Sequence, residues 1–272
     1  MKLKIPNEEI LIHDIEQDSD EWLMDFRPKG VGSSDIILLF EPNGSFDRNV
    51  FGFWKDRLDY EKFNTVSNEH IKRGKALEPF IRDEVNKILG TSYEPLCVSR
   101  KSKPYLRASL DGYDEATDSI LEIKAPAQKM FEKMVNEGIP KYYYYQIQYQ
   151  LLVMGAEYAR YAFYNEQNPT PYILTVENNL ELQMEIEKRC DLFWESIQSK
   201  TPIGFANSEL KLFPVRPSII LADSNYQENL LENINAPRKV SGSIVFVNPS
   251  PKDVTEMRRL NPNHEVVDLI DY

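Results

Sequence analysis

Between Tyr93 and Lys124 the chain changes its period. Upstream, Leu77, Ile81, Val85 and Ile88 recur at the spacing of one helix face, and Gly90 ends the run. Downstream, short segments of apolar and β-branched residues read as strands over 93–99, 105–110 and 120–124. Between the last two, residues 111–118 (Asp-Gly-Tyr-Asp-Glu-Ala-Thr-Asp) are a turn by composition. The spacing further predicts helices over 19–26, from near Ser33, over 50–58 and over 68–89. Beyond the strands come helices over 127–136 and 142–154, strands over 158–164 and 171–176, and a helix over 180–198. Helices, a strand meander, helices, more strands and a helix suggest an α/β or α+β core, a mixed sheet flanked by helices.

After Pro202 the character shifts. Pro214 and Pro217 flank a strand candidate over 218–222. A helix (226–234), a strand (243–247), a helix (252–260) and a strand (265–270) follow. We therefore divide the chain into a core domain, 1–207, and a small α/β appendage, 208–272, to which no role is assigned.

Composition bounds the function classes. The chain has 272 residues, 42% hydrophobic and 28% charged, enough for a sizeable core. No apolar run approaches the roughly 18 residues that a membrane span needs, and the first residues lack the apolar stretch of a signal peptide. Two cysteines, Cys97 and Cys190, provide neither a disulfide framework nor the four thiolates of an iron–sulfur cluster. A soluble, reducing, cytoplasmic setting is expected. The net charge of −11 excludes a chain coated in basic residues but not DNA as a substrate, since local patches serve phosphate binding.

The chemistry centres on Leu121-Glu122-Ile123-Lys124. Alternate side chains of a strand share a face, so Leu121 and Ile123 face a core while Glu122 and Lys124 point together to the other side. Asp111 stands at the end of the preceding strand, and a hairpin returns the chain beside it. Two carboxylates and a lysine at one spot suit metal-assisted phosphodiester hydrolysis: Mg²⁺ takes hard oxygen ligands and few carboxylates, and a lysine offsets charge developing on the phosphate. The same pattern also describes a solvated strand face with a weak ion pair.

Five blocks in order decide between them. Arg107-Ala108-Ser109-Leu110-Asp111-Gly112-Tyr113 and Leu121-Glu122-Ile123-Lys124-Ala125-Pro126 closely resemble the active-site blocks of the YqaJ-like viral recombinase family, within the PD-(D/E)XK nucleases. Arg27 with Gly30-Val31-Gly32-Ser33-Ser34-Asp35 resembles its N-terminal block. Gly74-Lys75-Ala76-Leu77-Glu78-Pro79 resembles its helical glutamate block, and Gln146-Ile147-Gln148-Tyr149-Gln150 its glutamine helix. The resemblance covers about residues 14–200; Leu110 stands where the superfamily name has proline.

The resemblance implies a restriction-endonuclease-like core and a set of roles. Asp111, Glu122 and the Ile123 carbonyl would bind Mg²⁺, with Mn²⁺ able to substitute and Glu78 helping to hold a second ion. Lys124 and Gln146 would position the nucleophilic water. The Gly30–Ser34 loop would receive the 5′-phosphate of the cut strand: glycines before a helix start leave free amides at its positive end, Ser33 and Ser34 lie there, and Arg27 adds a forked contact. Ser33 also reads as a plain helix cap. Arg100, Lys101 and Lys103, and also Lys72, Arg73 and Lys75, are candidate backbone contacts or plain solvated surface. The Tyr142–Tyr145 run receives no catalytic role, and His13, His70 and His264 suggest no zinc site.

The function implied is a Mg²⁺-dependent 5′→3′ exonuclease that digests one strand of linear duplex DNA and leaves 3′ tails for recombination. It would act as a homotrimer beside a single-strand-annealing protein, in the cytoplasm of a bacterial host if phage or prophage encoded. The alternatives are a restriction-type endonuclease or a RecB-like repair nuclease of the same fold, and a non-catalytic DNA-end-binding protein.

Overall fold

The structure is a computed structural model. It describes residues 7–40, 50–58, 69–168 and 170–200, and beyond them the backbone of five short strands. Two compact units emerge: residues 1–36 with 61–187, and 37–60 with 188–272.

The first unit is built on a six-stranded sheet in the order β1 (Ile10–His13), β2 (Glu94–Arg100), β3 (Arg107–Asp114), β4 (Ser119–Lys124), β5 (Tyr158–Phe163) and β6 (Tyr172–Glu177). All neighbours are antiparallel except β4 and β5. That one parallel step needs a crossover. It is made by α3 (Gln128–Glu137) and α4 (Lys141–Met154). The expected α+β core with a mixed sheet is the one found. Strand β1 went unpredicted, because Ile10-Leu11-Ile12-His13 is a short edge segment with Leu11 and Ile12 exposed and no inward alternation to read.

Helix α2 (Glu69–Leu89) lies where the 3.6-residue period placed it. Ile81 and Val85 are buried with Tyr93, Leu121, Ile123, Ala162 and Tyr164, and Leu77 and Leu89 pack at the margin. Ile88 does not join them: it is 51% exposed, and Leu89, four residues beyond Val85, takes the next inward place. Gly90 ends the helix at φ +66, a conformation that a Cβ would oppose.

Strand β3 is longer than expected. It runs through Asp111 to Asp114, so Asp111 lies within the strand and not at its end, and the turn shrinks to 115–118. Register explains the extension. Gly112, Tyr113 and Asp114 pair with Leu121, Ile120 and Ser119, and burial alternates along the strand despite its polar composition. Gly112 is required by close approach: a Cβ there would sit 2.8 Å from Tyr93 Cβ and 3.1 Å from Leu121 Cβ. The helices expected over 19–26 and from near Ser33 are a π-helical turn (Trp22–Phe26) and a 3₁₀ stretch (Ser33–Leu39).

In the second unit α1 (Val50–Leu58) places Phe53 against Phe193 of α5 (Leu180–Ser199), the rings stacked at 4.3 Å. Residues Leu180–Glu187 of α5 belong to the first unit. The C-terminal strands belong to the second unit. There β7 (Ile203–Ala206) and β8 (Glu209–Leu212) form an antiparallel pair. Strand β9 (Ser218–Ala222) lies parallel between β10 (Ser243–Val247) and β11 (Val266–Asp268), at the three places predicted for strands. The helices predicted over 226–234 and 252–260 lie outside the described residues, as does His264. Among the described residues no helix is long and apolar enough to cross a membrane.

Candidate active site

The ladder between β3 and β4 stops at Gly112–Leu121. Just beyond it, the Ile123 amide donates to the Asp111 carboxylate, to Oδ2 at 2.7 Å. The side chain thus replaces a backbone acceptor at the opening of the two strands. Leu121 and Ile123 enter the core against α2, as alternation predicts, while Glu122 turns to α4 and is 1% exposed.

Burying a carboxylate requires partners, and among the described residues Glu122 has three. Lys124 and Gln146 both donate to Oε1, the latter at 2.7 Å, and Gln150 donates to Oε2 at 2.6 Å. The Lys124 ammonium also lies 5.1 Å from the centroid of the Tyr143 ring, within cation–π range.

Helix α2 closes the group. Arg82 donates through Nε to the Asp111 carbonyl at 2.6 Å and through Nη2 to Glu78 Oε1 at 2.5 Å. One guanidinium therefore ties the glutamate of α2 to the backbone of β3. Pro79, inside α2 and next to Glu78, has no amide to offer the Lys75 carbonyl.

The electrostatics follow from this crowding. Burial first, then the charges of Glu122 and Glu78, raise the Asp111 carboxyl well above its usual range; Lys124 and the Ile123 amide act the other way. Glu78 is raised by burial, against the opposing pull of Arg82. Burial acts against the charge of Lys124, but Glu122 and Asp111 outweigh it, so Lys124 keeps its proton more tightly than a free lysine. Among the described residues three carboxylates (Asp111, Glu122, Glu78) and two cations (Lys124, Arg82) meet here, a net charge of −1 only when all three acids are ionised.

The blocks around these residues place the chain among known proteins. A family model, the YqaJ-like viral recombinase domain, matches residues 21–157, which is 137 of 272 positions. The chain belongs to that family. An uncharacterized protein YqaJ of Bacillus subtilis (strain 168) is 28% identical over 163 residues, 57% of this chain and 48% of that protein. The chain thus spans about half the length of this curated relative. The crystal structure of an alkaline exonuclease from Laribacter hongkongensis superposes with a TM-score of 0.59 at 20% identity, covering 67% of this chain and 94% of that one. The same enzyme in complex with dAMP gives 0.60 at 21% identity, with the same coverage. At such identities the likeness is one of fold.

In this YqaJ-like chain the remaining predicted residues separate into two groups. The Gly30–Ser34 loop is seated firmly beside β3. Val31 donates its amide to the Tyr105 carbonyl at 2.8 Å, and the Tyr149 hydroxyl donates to the Val31 carbonyl at 2.6 Å while accepting from the Arg107 amide at 2.9 Å. Ser33 is buried and Ser34 exposed. Arg27 lies 5.2 Å from the centroid of the Trp22 ring, and Trp22 donates to Ser109 two residues before Asp111. Gly30 sits hard against Tyr105 and Arg107: a Cβ would be 2.7 Å from Arg107 Nε and nearer still to the Tyr105 carbonyl. Gly30→Ala is therefore expected to destabilise the fold by about 1–3 kcal/mol, read from urea unfolding.

Arg100 departs from the expectation of a DNA contact. Its side chain is 12% exposed, donates to the Leu152 carbonyl at the end of α4, and lies 3.7 Å from Glu187. Lys103 also meets Glu187, at 3.0 Å, whereas Lys101 is exposed. Arg73 is tied to Glu166 and the Ala125 carbonyl, and Lys75 to Asp18. His13 is bonded to Ser99 and packs edge-on against Phe26, a structural histidine.

Two residues of the site carried no separate sequence signal. Arg82 reads as an ordinary helix-surface arginine until β3 is placed beside it. Gln150 was legible only as the third glutamine of its block, although its spacing of four from Gln146 puts both on one helix face.

Proposed function

We propose that this chain is a divalent-metal-dependent DNA nuclease, and more narrowly a 5′→3′ exonuclease that digests one strand of linear duplex DNA. The observation that carries this is the convergence of Asp111, Glu122 and Lys124 at the opening between β3 and β4, in a chain of the viral recombinase family whose fold is that of an alkaline exonuclease.

The donor set suits Mg²⁺. Mg²⁺ binds oxygen and usually takes one or two carboxylates, and Asp111 and Glu122 offer two. Among the described residues no three acidic, histidine or cysteine side chains form a metal cluster. Asp111, Glu122 and the Ile123 carbonyl would hold the ion. Glu78, whose Oε1 accepts from Arg82, would help to hold a second ion. Bound there, Mg²⁺ supplies Lewis-acid charge at the phosphoryl group and lowers the pKa of the attacking water.

The protein side chains do the rest. Lys124, held protonated by its two carboxylate neighbours, acts as a donor and a charge, not as a base: it orients the water and offsets negative charge gathering on the phosphate. Gln146 keeps Glu122 in place from α4. Arg27 and the Gly30–Ser34 loop form the receptor for the terminal 5′-phosphate, with Lys101 and Lys103 as outer contacts.

Digestion of linear and closed circular duplexes with Mg²⁺, with Mn²⁺ and with chelator tests the reading. Linear DNA alone should be consumed, only with metal, leaving 3′ tails; full activity in chelator would sink it. Ends bearing a 5′-phosphate should be degraded faster than 5′-hydroxyl ends, and Arg27→Ala should erase the difference. Equal rates on both ends in the intact protein would remove the pocket.

A closed homotrimer fits the acidic net charge, since a ring gathers local basic groups around one channel. Light scattering and the salt dependence of DNA binding test it, and a strictly monomeric protein refutes it. A single-strand-annealing protein is the proposed partner for the 3′ tails.

A further inference from the structure

Glu122 is gripped from α4 by two amides. Gln146 and Gln150, four residues apart, lie one above the other on the same helix face and donate to different oxygens of one carboxylate. An ionised carboxylate has about four lone-pair positions. On Oε1, Lys124 and Gln146 take two; on Oε2, Gln150 takes one. A single acceptor position remains among the described residues, on Oε2, and the side chain bonded to that oxygen is Gln150.

Among the described residues Gln150 bonds to nothing but Glu122. It is fully buried, and its own Oε1 has no hydrogen-bond partner among the described residues. A buried acceptor without a donor costs stability. Turning the amide round would set oxygen against the Glu122 oxygen, so the carboxylate alone fixes its orientation. Gln148, on the same helix, differs: it donates to the Glu177 carbonyl and accepts from the Asn179 amide and from Gln183, all within the protein scaffold.

We propose that Gln150 is a positioning residue that aims Glu122, so that this carboxylate reaches a divalent cation through one oxygen, Oε2. The inference rests on the reading of Asp111 and Glu122 as cation ligands. It adds that Gln150 is needed, although its own Oε1 has no partner among the described residues, because an apolar side chain would let the Glu122 carboxylate turn.

The test uses Gln150→Met, which keeps the volume, and Gln150→Asn, which keeps the amide but shortens its reach by one methylene. Mn²⁺ binding to the full-length protein is followed by calorimetry, together with kcat and KM on linear duplex and thermal unfolding in chelator. Both variants should bind Mn²⁺ about 10–100-fold more weakly and lose kcat with KM for DNA unchanged. Turnover should recover partly at high Mn²⁺. Gln150→Met, which leaves the buried Glu122 Oε2 without its donor, should melt lower in chelator yet stay folded at the temperature of the assays, and if it does not fold, Gln150→Asn carries the comparison. Natural protein that binds no Mn²⁺ would instead refute the cation site itself. Unchanged Mn²⁺ affinity and kcat in a folded variant would overturn the positioning role alone. So would a fall in both that reflects only the fraction of protein unfolded at the assay temperature, since Gln150 would then serve the fold alone.

Discussion

Asp111→Asn should abolish metal-dependent cleavage while making the metal-free protein more resistant to unfolding. The two effects share one cause. Asp111 stands among carboxylates with its charge partly desolvated, and burial and then Glu122 raise its carboxyl well above the usual range. Asparagine keeps an oxygen to accept the Ile123 amide but removes a charge that is unfavourable without a cation. The sign of the pH dependence follows. With the folded pKa above the unfolded one, the stability that Asp111 contributes by holding its proton is complete below the ordinary carboxylate range. It is lost as pH rises through the raised folded value. In chelator, the advantage of Asp111→Asn over the natural protein should therefore grow from acid towards neutral pH. With Mn²⁺ present the order should reverse, because only the natural protein gains stability from binding the ion. Melting curves across pH, with chelator and with Mn²⁺, read both claims, alongside a nuclease assay. An Asp111→Asn variant that digests DNA at the natural rate would show that Asp111 is no ligand.

The arrangement beneath this expectation was legible to different depths. The period of α2 and the alternation in β4 were readable because each strip of side chains packs on one side. Leu77, Ile81 and Val85 meet Leu121 and Ile123 in one cluster, and their spacing records it. The length of β3 was not readable. Asp111-Gly112-Tyr113-Asp114 has the composition of a turn, and pairing with β4 and β2 and the small size of Gly112 against Tyr93 keep it extended. A residue type that favours turns was overruled by its tertiary surroundings.

The site divides along the same line. Asp111, Glu122 and Lys124 were found because a hairpin brings sequence neighbours together, and Gln146 and Glu78 came with the family blocks. Arg82 and Gln150 act across elements far apart in sequence, at separations of 29 and 28 residues from their partners on β3 and β4. Nothing local marks a surface arginine that finds a strand carbonyl. Arg100 shows the converse: a basic cluster in sequence dispersed by folding, with Arg100 turned inward to Leu152 while Lys101 stays exposed.

Lys124→Ala should lower kcat by about 10²–10³, the usual loss for a preorganised donor acting at the transition state, with little change in the affinity for duplex ends. Lys124 lies on the same strand face as Glu122 and is only 23% exposed, so its ammonium is confined where charge develops and adds little to long-range attraction. The fold should survive, because Gln146 and Gln150 still donate to both oxygens of Glu122. Lys124→Arg sharpens the test. It keeps the charge but replaces a compact ammonium with a wide planar fork, in a space bounded by Tyr143 and Glu122. Rates near those of Lys124→Ala would mean that position matters more than charge. Fluorescence anisotropy with labelled duplex ends in Ca²⁺, compared with single-turnover cleavage in Mg²⁺, separates binding from chemistry. If Lys124→Ala cuts at the natural rate, the lysine is a surface ion pair and the proton-holding donor of the reaction must be sought elsewhere. If it instead loses end binding in proportion to cleavage, Lys124 contributes to substrate capture, and the role assigned to it at the transition state is wrong.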